Sequence, residues 1–142
     1  MDQDIEHGFF DANLSPDAFH MWAEHFYQCR QDFSVQGFSP IPFFLLCRAI
    51  ELEIKSRFLK QQRQKQVKAK FGHDLMAAYD ALGSSERILD PQETQILTAA
   101  NNIYKQKRFE YFDPEDALLG YSRYPDLTAL DSVAQKLIGS AT

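Results

Sequence analysis

The chain has 142 residues, of which 44% are hydrophobic and 25% charged, and its formal net charge is −5. The length is that of one domain and the composition is that of an ordinary globular protein. Aromatic residues make up 13% of the chain, which argues against disorder because large buried rings offset the entropy lost on folding. Six glycines and six prolines are too few for a collagen-like or turn-rich all-β chain.

Charge is unevenly distributed along the chain. Residues 1–32 hold seven acidic residues and one basic residue, whereas residues 55–70 hold seven basic residues and no acidic one. We interpret 1–14 as an acidic N-terminal extension and 15–142 as the helical domain. The basic run favours either an anionic partner such as RNA or a solvated helix face.

No export or membrane signal is present, and no metal or cofactor motif is found. The start, MDQDIEHGFF, lacks the basic and apolar regions of a signal peptide. The longest apolar run, 41–47, is far short of the roughly 20 residues that span a bilayer. Cys29 and Cys47 lack a metal or redox spacing, so we expect two buried thiols. We therefore predict a cytoplasmic protein with no membrane contact, no metal and no cofactor.

Hydrophobic spacing predicts helices from the amino-terminal end onward. Ser15 followed by Pro16 marks the start of the first helix, which we expect to end before Gly37. The second helix starts at Pro40 and is apolar nearly all round in its first half. This pattern is typical of a helix in the centre of a core or one shared with a partner subunit.

Three more helices follow in the pattern. The third begins near Asp74 and closes at Gly83, and the fourth begins with a capping box at Asp90 and extends to about Arg108. The stretch after it is irregular, and a last helix covers 127–138 with Thr128 or Asp126 as its cap. No strand pattern of useful length is present. The sequence therefore predicts an all-α, single-domain bundle of about five helices.

A short turn, FGHDL at 71–75, places a histidine at a helix start. His73 at this position is a candidate general base or anion contact, with Asp74 beside it. The alternative is a capping turn, in which His73 or Asp74 bonds free amide groups. The capping turn is the commoner use of such a segment.

A second segment, YKQKRFEYF at 104–112, interleaves basic and aromatic residues. Such a pattern binds single-stranded nucleic acid through phosphate contacts and base stacking. It also fits a helix end followed by aromatic residues in the core, and we interpret Phe109, Tyr111 and Phe112 as such a core cluster. The candidate nucleic-acid-binding residues share a basic side chain; they are Lys60, Arg63, Lys65, Lys68, Lys70, Lys105 and Lys107.

Three segments in order resemble the HEPN (higher eukaryotes and prokaryotes nucleotide-binding) domain superfamily. FFLLCRAIELEIKSRFLK (43–60) resembles its long central helix, FGHDL (71–75) its turn, and NNIYKQKRFEYF (101–112) its later helix. The resemblance covers about residues 15–138. It implies an all-α bundle, frequent homodimers, and roles in RNA cleavage, toxin–antitoxin or phage-defence systems.

The catalytic motif of that family is absent from this sequence. Catalytic members carry an Arg-x(4–6)-His pair, whereas the positions after Arg108 hold Asp113, Pro114 and Glu115. We therefore predict a non-catalytic nucleotide- or RNA-binding or protein-interaction module that forms a homodimer. One alternative is a diverged, metal-independent ribonuclease that uses His73, Arg108 and Lys105 at a dimer cleft. Another is a purely structural accessory protein with a protein partner.

Overall fold

Six α-helices and no strand are formed by the residues that the computed structural model describes, 15–60 and 71–140. The helices are α1 (Pro16–Asp32), α2 (Ile41–Phe58), α3 (Leu75–Asp80), α4 (Pro91–Tyr104), α5 (Pro114–Leu118) and α6 (Leu127–Gly139). The predicted all-α, single-domain bundle is confirmed. The predicted extension 1–14 and the basic residues 61–70 lie outside the described part of the chain.

Helix α2 lies at the centre of the bundle, which is the first of the two positions that its apolar sequence predicted. It packs against α1, α3, α4 and α6, and α6 also contacts α1 and α4. Most residues from Pro42 to Ser56 are buried, including three with charged side chains, Glu51, Glu53 and Lys55.

None of the described helices is long and apolar enough to cross a membrane.

Local capping chemistry sets most helix starts where the sequence predicted them. Ser15 accepts from the Ala18 amide at 3.1 Å, and Asp90 forms the complete capping box with Glu93. Asp126, rather than Thr128, caps α6. These caps depend on residues only three apart in the chain, which is why the sequence reveals them.

Two helix ends and the irregular stretch differ from the prediction. α1 ends at Asp32, before Gly37 as predicted, but α3 ends at Asp80 rather than at Gly83. α4 ends at Tyr104 instead of Arg108, because Lys107 takes a left-handed backbone conformation with φ of 59°, which stops a helix. The additional helix α5 lies where we expected irregular chain. Its start is stabilised by Asp113, whose carboxylate accepts from two backbone amides.

The predicted core cluster of three aromatic rings is wrong for two of them. Phe109 is buried and lies 5.9 Å from Phe43 between ring centroids. Tyr111 and Phe112, however, are 70% and 77% exposed. The turn at Lys107 returns the chain to the core at Phe109, and the rings that follow face solvent.

One of the two cysteines is also not where we expected it. Cys47 is buried, and burial raises the pKa of its thiol. Cys29 is exposed, because the buried face of α1 runs from Phe19 and Ala23 toward the half-buried Arg30, and residue 29 lies to one side of that stripe.

We predict a large loss of stability for one phenylalanine and almost none for another that is three residues away. Phe109→Ala should lower the free energy of unfolding by about 3 kcal/mol because it opens a cavity in the core. Phe112→Ala should change it by about 0.5 kcal/mol or less because the ring is solvent-exposed. Urea denaturation followed by circular dichroism measures both; equal losses would contradict the described burial.

Candidate functional site

A buried carboxylate on α2 joins three parts of the molecule. Glu51 Oε1 accepts a hydrogen bond from the Tyr104 hydroxyl at 2.6 Å and lies 2.9 Å from His73 Nδ1. Its Oε2 accepts from Lys55 Nζ at 3.1 Å and from Arg48 at 3.2 Å. The Glu51 side chain is only 5% exposed. Four donors therefore surround one carboxylate in the interior, which we call the Glu51 cluster.

The electrostatics of this cluster favour an ionised glutamate. Burial by itself would raise the pKa of Glu51, but Lys55, the hydrogen bonds from Tyr104 and His73, and Arg48 together hold it below its ordinary value. Burial and the nearby carboxylate raise the pKa of the Tyr104 hydroxyl. Tyr104 is thus a neutral donor to a charged acceptor.

The FGHDL turn is fixed by contacts on both of its sides. Gly72 has a φ of 55°, and its carbonyl accepts from Lys55 Nζ at 2.6 Å. Asp74 caps α3, and its carboxylate also accepts from the Asn101 side chain at 2.9 Å. The capping alternative is therefore correct for Asp74, whereas His73 contacts Glu51 and is 45% exposed.

The positive charge of Lys105 acts on the carboxyl group of Asp74 in this turn. Burial would raise the pKa of Asp74, but the hydrogen bond from Asn101, the Ala77 amide and the positive charge of Lys105 lower it. Lys105 itself is exposed. Two of the three catalytic candidates, His73 and Lys105, thus lie beside the same turn.

Arg108, the third candidate, belongs to a different cluster. Its guanidinium pairs with Asp113 at 2.5 Å, and that hydrogen bond lowers the pKa of Asp113. Arg123 donates two hydrogen bonds to the neighbouring Asp116, at 2.5 and 2.7 Å. Among the described contacts, none joins Arg108 to His73.

An open groove follows the end of α4, and we call it the aromatic groove. It has a volume of about 330 Å³ and is lined by Gln106, Lys107, Arg108, Tyr111, Phe112, Asp113 and Pro114. Its two rings are the exposed ones that the sequence placed in the core. Exposed rings beside cations are the arrangement that single-stranded nucleic acid requires.

The predicted nucleic-acid-binding residues fall into two groups. Lys60, Lys105 and Lys107 are exposed. The other four, Arg63, Lys65, Lys68 and Lys70, lie outside the described residues.

The first two basic residues of the run at 55–70 do not lie on a solvated face. Lys55 is buried against Glu51, and Arg57 is 7% exposed and pairs with Glu53 at 3.3 Å. The solvated-face interpretation is therefore wrong for Lys55 and Arg57, because buried carboxylates one turn away neutralise them.

The sequence pattern did not single out the acidic residues of α2. Glu51 and Glu53 are buried in a helix that otherwise presents apolar side chains to the core. A signal was available: each has a basic residue four positions later, Lys55 and Arg57, which is the spacing of an intrahelical ion pair. In the part of the chain that the structure describes, no group of three or more His, Cys, Asp or Glu side chains could hold a metal ion.

Comparison with known proteins gives no match. No family model, curated protein or solved structure matches the chain. The functional assignment therefore depends on the side chains and their geometry.

We predict that Glu51→Gln destabilises the fold strongly. Removing the charge leaves Lys55 buried without its counterion, and the free energy of unfolding should fall by about 3 kcal/mol. The pKa of Glu51 lies below its ordinary 4.5 when folded, so this stabilisation is complete above that value and is lost as the pH falls through the lower folded value. Urea midpoints from pH 7 to pH 3 measure both effects.

The matched control is Glu110→Gln, which removes the same charge from an exposed position. It should leave the free energy of unfolding at pH 7 nearly unchanged. The slope of stability with pH should be shallower in Glu51→Gln than in the native protein, although Asp74 and Asp113, whose pKa values are also lowered, retain part of it. Identical stability of the two variants would show that the Glu51 charge does not hold the fold together.

Proposed function

We propose that this protein is a HEPN-like, non-catalytic module that binds single-stranded RNA in the aromatic groove. The observation that carries the proposal is the exposure of Tyr111 and Phe112, at 70% and 77%, in a groove that also holds Lys107 and Arg108. Two neighbouring exposed rings beside a groove form the kind of apolar surface that marks a contact site for a ligand or partner.

The groove supplies both kinds of contact that a flexible strand needs. Bases stack on aromatic side chains with about 1–3 kcal/mol each, without dependence on sequence. Lys107, which is exposed and lines the groove with the rings, supplies a cation for the phosphates. Lys105, also exposed, precedes it in the chain by two residues and offers a further cation. Because the whole chain carries a net charge of −5, we expect attraction only near local cations and strong weakening by salt.

Basic residues outside the described chain support binding of a longer strand. Residues 61–70 hold Arg63, Lys65, Lys68 and Lys70 and no acidic residue. This run is joined directly to Phe71 and to the turn that carries His73. We assign these four side chains to sequence-independent phosphate contacts.

The test is a fluorescence anisotropy titration with a labelled uridine decamer. We expect a dissociation constant on the order of 10 µM at low salt. Replacing Tyr111 and Phe112 together by alanine should weaken binding by at least about tenfold, because two stacking contacts are lost. Leu118→Ala, a control at an apolar residue that is 87% exposed outside the groove, should bind as the native protein does.

Salt dependence separates the phosphate contacts from stacking. Lys107→Ala should reduce the slope of log affinity against log salt by roughly 0.7, the value for one phosphate contact to a single strand. The matched control is Lys136→Ala. Lys136 is exposed, pairs with Glu93 and does not line the aromatic groove. No binding of the decamer, or equal binding by the aromatic double variant, would contradict the proposal.

The Glu51 cluster favours one second candidate, a diverged metal-independent ribonuclease. A carboxylate on His73 Nδ1 fixes the ring and its tautomer and leaves Nε2 as the basic nitrogen. The ring is partly exposed, and Lys105 lies near the same turn, so a histidine base and a cation are available.

We expect no cleavage of single-stranded RNA above the buffer background, with EDTA present to exclude metal-dependent contaminants. Gel analysis of a labelled RNA after long incubation measures this. Cleavage that His73→Ala abolishes, in a variant whose circular dichroism spectrum is unchanged, would overturn the non-catalytic half of the proposal and leave the binding half standing. The homodimer, nucleotide ligand, protein partner and toxin–antitoxin or phage-defence role that the resemblance implies stay predictions.

A further inference from the structure

We infer that a cleft beside the aromatic groove binds a guanine base, which gives the RNA binding a sequence preference. This inference rests on the proposed function. The cleft has a volume of about 230 Å³ and is lined by Gln106, Arg108, Asp113, Glu115, Asp116, Leu119 and Arg123. It shares Gln106, Arg108 and Asp113 with the aromatic groove. A base in the cleft and a base on Tyr111 or Phe112 can therefore belong to one strand.

Most of the charges in the cleft are already paired. Arg108 pairs with Asp113, and Arg123 binds Asp116 through two hydrogen bonds. Asp113 also caps α5, and the Asp116 side chain is 3% exposed. These four side chains form the walls of the cleft, since each is held by an ion pair with a neighbour.

Two polar side chains of the cleft keep their capacity for a ligand. Gln106 and Glu115 are both exposed, and neither side chain has a partner among the described contacts. The amide of Gln106 can donate and accept, whereas the carboxylate of Glu115 only accepts. The same cleft offers Leu119, which is 59% exposed, as an apolar surface for the flat face of a base.

This pair of side chains complements guanine better than any other base. The Watson–Crick edge of guanine presents two adjacent N–H donors, N1–H and the 2-amino group, beside the O6 acceptor. The Glu115 carboxylate can accept from both donors, and the Gln106 amide can donate to O6. Adenine and cytosine present a ring-nitrogen acceptor to the carboxylate, and uracil presents a carbonyl beside its single N–H.

The carboxylate also decides which part of the strand enters. Like charges repel, so Glu115 disfavours a phosphate in the cleft and favours a base. The neighbouring groove, which Lys107 and Arg108 line, offers cations for the phosphates instead.

The experiment compares three labelled decamers of uridine that carry one central guanosine, adenosine or cytidine. In anisotropy titrations at low salt, the native protein should bind the guanosine strand about tenfold more tightly than the other two, as expected for one good set of base contacts. Glu115→Gln should reduce this preference to about twofold or less, because the amide nitrogen now faces the donors of guanine. Binding of plain oligouridine should stay within about twofold of native, because the aromatic groove is unchanged.

Glu110→Gln is the matched control, since it removes one negative charge from an exposed residue that lines neither cleft. It should keep the guanosine preference. Gln106→Ala, on the opposite contact, should lower the preference as Glu115→Gln does, and circular dichroism checks that each variant is folded.

The outcomes separate this inference from the proposed function. Equal affinity of the native protein for the three strands, with aromatic-groove binding intact, overturns the guanine site alone. A preference that survives in folded Glu115→Gln overturns the assignment to Glu115. Absence of binding to every strand overturns the RNA-binding proposal and the guanine site together.

Discussion

A charged glutamate inside the central helix is the constraint on which the arrangement of this protein depends. A buried carboxylate is stable only when donors replace the water that it has lost. The donors to Glu51 come from α2 itself, from the turn before α3 through His73, and from the end of α4 through Tyr104. The hydrogen bonds to this one carboxylate therefore fix where the turn and α4 lie relative to α2.

A second buried ion pair, Glu53 with Arg57, connects another face of α2 to its neighbouring helices. Glu53 contacts His20 of α1 and Arg57, and Arg57 donates to the carbonyl of Leu137 and the hydroxyl of Ser140 at the end of α6. The central helix thus contacts its neighbours through charged groups as well as apolar ones. Breaking such pairs is costly, since an unpaired charge would remain in the interior.

The same constraint reaches the candidate RNA-binding surface. Tyr104 is the last residue of α4 and is held by Glu51, so the segment that follows starts from a fixed position. The left-handed turn at Lys107 then returns Phe109 to the core. Phe109 and the Arg108–Asp113 pair hold the chain on both sides of Tyr111 and Phe112. The backbone around the two exposed rings is therefore fixed, which under the RNA-binding proposal lowers the entropy lost when a base stacks on them.

The amino-acid sequence was enough to predict the helical class and the helix starts at Ser15 and Asp90, and it left two alternatives each for the place of α2 and for the cap of α6. These features depend on residues within a few positions of each other, through hydrophobic spacing and side-chain caps. It also identified FGHDL and the basic aromatic segment as the places where function should be sought.

The contacts and the exposure of those segments follow from the packing of the whole molecule. His73 and Glu51 are 22 positions apart, and Tyr104 and Glu51 are 53 apart, so no local pattern could reveal their hydrogen bonds. The exposure of Tyr111 and Phe112 depends on a single left-handed residue, Lys107, which is not a residue type that signals such a turn. Burial is a property of the packed molecule, because it depends on what every other element leaves uncovered.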